Sequence, residues 1–441
     1  MTQNIETRDT FKSKFGFILA CVGSAVGMGN IWLFPYRVGQ LGGAAFLIPY
    51  FIFVLLLGFT GVVEEMALGR VMETGPLGAF KKAMERRGKN YGEAIGLIPV
   101  IGSLGIAVGY SVVVGWILKF TVQSFTGAVT ASENSGAFFG QIAGKFGSLN
   151  WHVLSLILVI LIMSFGVANG IEKVNKVMMP LFFLMFIFLA LRVLFLPGAM
   201  EGYKFLFKPD WAKLALPKTW MFALGQAFFS LSLAGSGTVV YGSYLKKDED
   251  IINSAIYVSI FDTVAAMLAA FVIIPAVFAF GIKPTAGPPL MFIVMPEIFK
   301  KMPVGALFSS IFFLAVLFAG ITSLINLYET SIEALQQKFK LSRITSVVIV
   351  MILGISVGVF LEDGNILGKW MDFISIYIIP VGACLAGFMF FWVCGDKFAY
   401  DAIMMGRENK DIKWIIPVGK YIFCGLTLFV IIAGIIYNGI G

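Results

Sequence analysis

Two clusters of small and polar residues interrupt otherwise apolar stretches: GSAVGMGN from Gly23 to Asn30, and AGSG from Ala234 to Gly237. A glycine-rich break inside an apolar helix frees amides on one half-helix and carbonyls on the other. The amides, at the positive end of a helix dipole, suit a carboxylate, and the carbonyls suit a small cation. Side-chain oxygens at comparable depth come from Asn30, Ser230, Asp262, Thr322 and Ser323. Hard cations take several oxygen ligands. This inventory therefore fits sodium and offers little to metals that seek nitrogen or sulfur. In lipid each unsatisfied peptide group costs several kcal/mol, so such breaks persist only where they line a cavity or hold a ligand.

Charge at membrane depth needs a reason of the same kind. Asp262 falls inside the seventh apolar segment and is read as functional. Glu65 lies deep in the second, placed to accept hydrogen bonds from amides freed by the breaks, while Glu64 beside it faces another helix or the cytoplasmic end. Lys119, Glu329 and Glu333 lie nearer segment ends and read as snorkelling or helix-surface charges.

The elements that position these residues follow from composition. Of 441 residues, 59% are apolar and only 13% charged, against about a quarter charged in soluble proteins. Eleven segments are long enough to cross a bilayer, near 15–37, 42–70, 92–127, 151–169, 175–196, 218–244, 251–281, 304–338, 343–361, 371–396 and 413–438. Basic residues such as Lys81, Lys82, Arg86, Arg87 and Lys89 crowd the loops on one side. The positive-inside rule then places the N-terminus in the cytoplasm and, with eleven spans, the C-terminus outside. The net charge of +8 is this bias, and no nucleic-acid partner is expected.

The two breaks are five spans apart. The expected fold is an all-α polytopic membrane protein of eleven transmembrane helices, with a 5+5 inverted repeat and broken first and sixth helices. One transport domain spans 1–441, with repeats at 15–196 and 218–396 and an extra helix at 413–438. Paired interruptions in two halves point to the binding site of a secondary transporter. The proline-rich connection 282–303 is expected to hold a short helical hairpin.

Other chemistry finds little support. The cysteines Cys21, Cys384, Cys394 and Cys424 form no CxxC pair, and His152 is the only histidine. No nucleophile–base pair lies at membrane depth, so the chain does not read as an enzyme. A phosphate-cradling glycine loop needs a preceding strand and a helix start in water, which these segments do not provide. The polar first 14 residues and the long, interrupted first span do not fit a cleaved signal peptide. A proton-coupled or exchange transporter, and an amino-acid sensor, remain as alternatives to sodium symport.

The stretches GSAVGMGNIWLFPY, GGAAFLIPY, EMALGR, GYSVVVGW, LGQAFFSLSL, YGSYLKKDEDI and AGITS resemble the neurotransmitter:sodium symporter family along the whole chain. The resemblance implies a sodium-coupled amino-acid symporter with two sodium sites. Site one would comprise Ala25, Asn30, Ser230 and Asp262, with the substrate carboxylate. Site two would comprise Gly23, Val26, Ala319, Thr322 and Ser323. The substrate would lie among Ser24, Ala25, Met28, Gly29, Ile106, Tyr110, Phe229, Ser230, Ser232, Gly235, Ser323, Asn326 and Leu327. Tyr110 and Phe229 would close over it, and Arg8, Glu65 and Asp372 would serve gating. The short tails, the eleven spans and the absence of an Asn-x-Ser/Thr sequon suggest a bacterial inner membrane, with the lipid bilayer and the amino acid as expected partners and no obligatory protein partner.

The sequence departs from that pattern at four places. Leu33 stands where the family usually has the arginine that pairs with the aspartate matched by Asp372, and Arg37 is one turn away as a substitute. Gln337 stands where an aspartate usually faces the N-terminal arginine, so Arg8 needs another partner. Asp262 replaces the neutral amide of a well-known bacterial relative, and Ala266 replaces the serine of chloride-dependent members. A fixed charge at Asp262 would make chloride unnecessary. Gly235 replaces a bulky aromatic residue of the leucine-accepting relative. The wider pocket is expected to favour large hydrophobic or aromatic amino acids, with tyrosine, tryptophan and phenylalanine ahead of leucine.

Overall fold

The computed structural model describes residues 9–233, 236–282, 290–407 and 411–440. Among them there is helix and no strand. In hydrocarbon this is one of the few ways for the backbone to satisfy its own hydrogen bonds. Eight helices are long and apolar enough to cross a bilayer, and the bent pair Lys14–Ala25 and Gly29–Leu41 makes a ninth. Leu149–Ser164 occupies the fourth expected position, and Pro217–Ser230 with Gly237–Gly242 the sixth.

The first break has identifiable causes. Ser13 caps the first half by accepting from Gly16 N, and the α-helix ends at Ala25, with Val26 extended at φ −72°, ψ 103°. The chain resumes at Gly29 with its axis turned by 53°. Asn30 Oδ1 accepts from Gly27 N at 3.1 Å, satisfying an amide that the break releases. In the sixth span the first half starts on Pro217, whose fixed φ suits a helix N-terminus. It ends beyond Ser230, where Ser232 adopts a left-handed φ of 54°. Left-handed backbone is uncommon outside glycine, and its presence here marks a constrained segment.

The third span, Gly92–Phe125, and the eighth, Gly305–Phe339, form the centre; 78% and 83% of their apolar windows are buried, against 28% for the fifth, Val167–Leu194. Polar links tie the central pair together. Thr121 Oγ1 donates to the Phe313 carbonyl at 3.1 Å, Ser124 and Ser309 hydroxyls pair at 2.8 Å, and Ser103 donates to the Leu327 carbonyl at 2.9 Å. The second span, Ala44–Met72, packs backbone to backbone on the second half of the sixth. A Cβ on Gly69 would collide with the Val239 carbonyl, and one on Gly242 would stand 2.5 Å from the Met66 carbonyl. Small residues at membrane-helix interfaces permit such approach. In the 282–303 connection, Leu290–Val294 and Met295–Lys301 are helical, and the first arm of the expected hairpin falls outside the described residues.

Candidate cation and substrate site

Asn30, Ser230 and Asp262, from three different spans, meet at the first break. Asn30 Nδ2 lies 2.7 Å from Asp262 Oδ1 and 3.1 Å from Ser230 Oγ. The Ser230 hydroxyl donates to Asp262 Oδ2 at 2.7 Å, which leaves the Tyr50 hydroxyl, 3.2 Å away, to donate to Ser230. All three side chains are completely buried. Asn30 turns its nitrogen to Asp262 and its oxygen to the Gly27 amide. Oxygen ligation by Asn30 therefore requires its amide to turn. Ala25 sits buried at the end of the first half-helix.

A second group of oxygens gathers on the eighth span. The Ser323 hydroxyl is 3.1, 3.2 and 3.0 Å from the carbonyls of Gly23, Ser24 and Val26. These belong to the last turn before the break, where helix carbonyls lose their amide partners. One hydroxyl has one proton, so three carbonyls around it leave acceptors in excess, the arrangement a cation satisfies. Thr322 Oγ1 adds contacts at 3.0 Å to the Phe318 carbonyl and 3.2 Å to that of Ala319. The five residues expected at site two thus occupy one locality.

Between these groups the Tyr110 hydroxyl accepts from Met28 N at 3.1 Å. A Cβ on Gly27 would stand 2.7 Å from both Tyr110 OH and Ser323 Oγ, so both groups depend on glycine there. Phe229 lies against Gly29, whose carbonyl accepts from Gln226 Nε2 at 3.0 Å. Ser232 Oγ donates to the Ser24 carbonyl at 3.0 Å, tying the two breaks to each other. Asn326 Nδ2 donates to the Gly237 carbonyl at 3.3 Å.

A cavity of about 790 Å³ opens from this point. Of the expected substrate residues, Met28, Gly29, Tyr110 and Phe229 line it, whereas Ser24, Ala25, Ile106, Ser230, Ser232, Ser323, Asn326 and Leu327 do not. Gly235 and Arg8 lie outside the described residues. One wall carries Leu33, Arg37 and Asp372. The Arg37 guanidinium stacks 4.2 Å over the Phe222 ring and donates to Gln40 Oε1 at 3.1 Å.

The opposite end corrects the reading of Glu329 and Glu333 as surface charges. Glu329 is fully buried and takes a bidentate pair from Arg343 at 2.9 and 2.8 Å, plus the Tyr244 hydroxyl at 2.8 Å. Glu333, nearly as buried, accepts from Thr74 Oγ1 at 3.0 Å and Gly75 N at 2.9 Å. Lys119 reaches the Gly147 carbonyl at 3.3 Å. Glu64 and Glu65 are both buried in the second span. His152 is also part of a network that its position alone did not disclose. It bridges Ser111 Oγ at 2.8 Å and Glu362 Oε1 at 2.9 Å, while Glu362 Oε2 accepts from Ser148 at 2.5 Å.

Comparison with known proteins identifies the family. The profile of the sodium:neurotransmitter symporter family matches residues 8–141 and 137–439. The sodium-dependent transporter YhdH of Bacillus subtilis is 39% identical over 389 residues, 85% of each chain. A sodium-dependent transporter of Methanocaldococcus jannaschii is 32% identical, covering 98% of this chain and 90% of the relative. The sodium-dependent serotonin transporter of Drosophila melanogaster is 28% identical over 92% of this chain and 73% of its own. Among solved structures, MhsT in complex with L-phenylalanine superposes with a TM-score of 0.88 at 34% identity, covering 97% of this chain and all of that one. The chain belongs to the sodium:neurotransmitter symporter family, a family of sodium-dependent transporters and not of enzymes.

Proposed function

We propose that this symporter imports large hydrophobic or aromatic amino acids, tyrosine, tryptophan and phenylalanine among them, together with sodium at two sites. The observation that carries the reading is the pairing of two oxygen clusters, Asn30–Ser230–Asp262 and Ser323 with the carbonyls of Gly23, Ser24 and Val26, beside a cavity lined by Tyr110 and Phe229. The aromatic amino acid bound by the structurally similar MhsT supports the substrate class.

In this reading the substrate carboxylate sits by Tyr110 and the amide end of the broken first span, completing site one. A ligand shared by two cargoes makes each bind more tightly in the presence of the other, and the coupling is reciprocal. The sodium gradient then drives uptake. Asp262 supplies fixed negative charge at site one, so chloride is not required. The chain forms one transport domain with inverted repeats at 15–196 and 218–396, in a bacterial inner membrane with the N-terminus cytoplasmic and the C-terminus outside.

The test is uptake of each of the twenty radiolabelled amino acids into proteoliposomes, in sodium and in choline. Accumulation of aromatic amino acids in sodium alone is expected. Uptake that persists in choline would overturn sodium coupling in favour of proton coupling or exchange. Alanine or glycine outcompeting tyrosine would overturn the substrate class. Gly235→Phe is expected to shift preference toward smaller side chains.

A further inference from the structure

Asn175, in the fifth span, carries a buried acceptor that the contacts above do not use. The residue is completely buried, and its Nδ2 donates to the Ile171 carbonyl at 2.8 Å. That bond fixes the orientation of the amide, because the reverse would set Oδ1 against the Ile171 oxygen. Oδ1 itself has no hydrogen-bond partner among the described residues. It faces Gly23: a Cβ there would run into Oδ1, and would also stand 2.9 Å from Thr322 Cβ. The unpartnered oxygen therefore lies against the two residues where the first and eighth spans build the second oxygen cluster.

Its place along the fifth span gives it a direction. Three residues earlier, Glu172 accepts from Lys12 N at 2.6 Å, Ser13 Oγ at 2.8 Å and Lys176 Nζ at 2.6 Å. Lys176 is 36% exposed, so this end of the first and fifth spans meets solvent. Gly16 packs on Glu172 and Gly23 on Asn175, so the two spans run alongside each other from that end inward. Asn175 stands about one turn along the fifth span from Glu172, against Gly23 and Thr322. A buried acceptor left unsatisfied costs about 1–3 kcal/mol, and a cation or its hydration water would remove that cost.

We propose that Asn175 Oδ1 is a further oxygen ligand of the second sodium position, taking the ion on the side that opens toward Glu172. The proposal rests on the two-sodium reading above. Hydrogen bonding to Ile171 alone is the structural alternative.

The test uses the purified full-length chain with no amino acid. Its thermal unfolding midpoint is titrated with sodium chloride, with choline chloride holding ionic strength. Asn175→Ala is expected to raise the sodium concentration for half-maximal stabilisation about tenfold. Asn175→Asp, which keeps an oxygen, is expected to titrate close to the unmodified protein. Asn175→Ser, too short to reach, reads the same loss if the alanine variant fails to accumulate. Variants that lower the starting midpoint without moving the sodium titration would overturn the proposal in favour of a structural role. The Thr322→Ala/Ser323→Ala variant separates the two levels. If it titrates normally, the second sodium site itself falls; if it loses sodium response while Asn175→Ala does not, only the role of Asn175 falls.

Discussion

Asn30 holds Asp262 with its amide nitrogen, 2.7 Å from Oδ1, and caps the Gly27 amide with its oxygen. One side chain thus stabilises the break and the buried carboxylate beside it. Hydrogen bonds to an ionised group contribute about 1.5–3 kcal/mol each, and Asp262 receives them from both Asn30 and Ser230. In the proposed function, a carboxylate fixed in this way would supply the charge at site one that a mobile anion supplies elsewhere.

The charge of Asp262 is separable from its shape. Asp262→Asn keeps the side-chain outline and removes the negative charge. The sodium concentration for half-maximal uptake is expected to rise about tenfold, equivalent to about 1.4 kcal/mol. The unmodified transporter is expected to work equally in sodium chloride and sodium gluconate, whereas Asp262→Asn becomes sensitive to chloride. Uptake that collapses in gluconate for the unmodified protein would show that Asp262 does not replace chloride.

Gly27 is the position where both sites are most exposed to a single methyl group. A Cβ there lies 2.7 Å from Tyr110 OH and from Ser323 Oγ. Gly27→Ala is expected to weaken substrate and sodium binding together, each by at least about tenfold, while the detergent-solubilised protein stays monodisperse on size exclusion. Loss of only one of the two affinities would mean that Tyr110 and Ser323 do not share this contact.

Much of this arrangement was legible in the sequence because glycines in a membrane span have few uses. GSAVGMGN announced the first break, and Asp262, Thr322 and Ser323 announced oxygen chemistry at depth. Pairings between distant residues were not legible. Glu329 and Arg343 are 14 residues apart on two spans, and nothing local says that they meet. The signal was energetic: a carboxylate at membrane depth needs a partner, and Arg343, at the start of the next span, was available. Asn175 gave no signal at all, since an amide in an apolar helix is unremarkable until its oxygen is found without a donor. The stacking of the Arg37 guanidinium on the Phe222 ring was likewise not legible, because nothing local pairs the two residues.

The Glu329–Arg343 pair ties the eighth span to the start of the ninth beside Tyr244. Removing one partner of a buried pair leaves an uncompensated charge and costs about 3–5 kcal/mol. Glu329→Gln and Arg343→Met are each expected to lower the unfolding midpoint. The double variant is expected to lose less than the sum of the two. Labelling of a cysteine introduced near Tyr244 should speed up in the single variants, because that tie is lost. Additive losses in the double variant would mean that the two side chains do not act together.

Leu33 leaves Asp372 facing the cavity without the usual arginine, and both residues line the same wall. Leu33→Arg returns a guanidinium to that wall. Asp372 is exposed, so the restored pair is worth at most about 1 kcal/mol. A gate held closed by that amount is expected to slow exchange of bound substrate up to about fivefold, with little change in equilibrium affinity for sodium. Adding Asp372→Asn to Leu33→Arg is expected to return the exchange rate to that of the unmodified protein, because the arginine then has no carboxylate to meet. Raising ionic strength should weaken the effect in Leu33→Arg and leave the unmodified protein unchanged, since screening acts on exposed pairs. If Leu33→Arg slows exchange equally with and without Asp372, the effect is steric, and Leu33 matters for its size and not for the charge it omits.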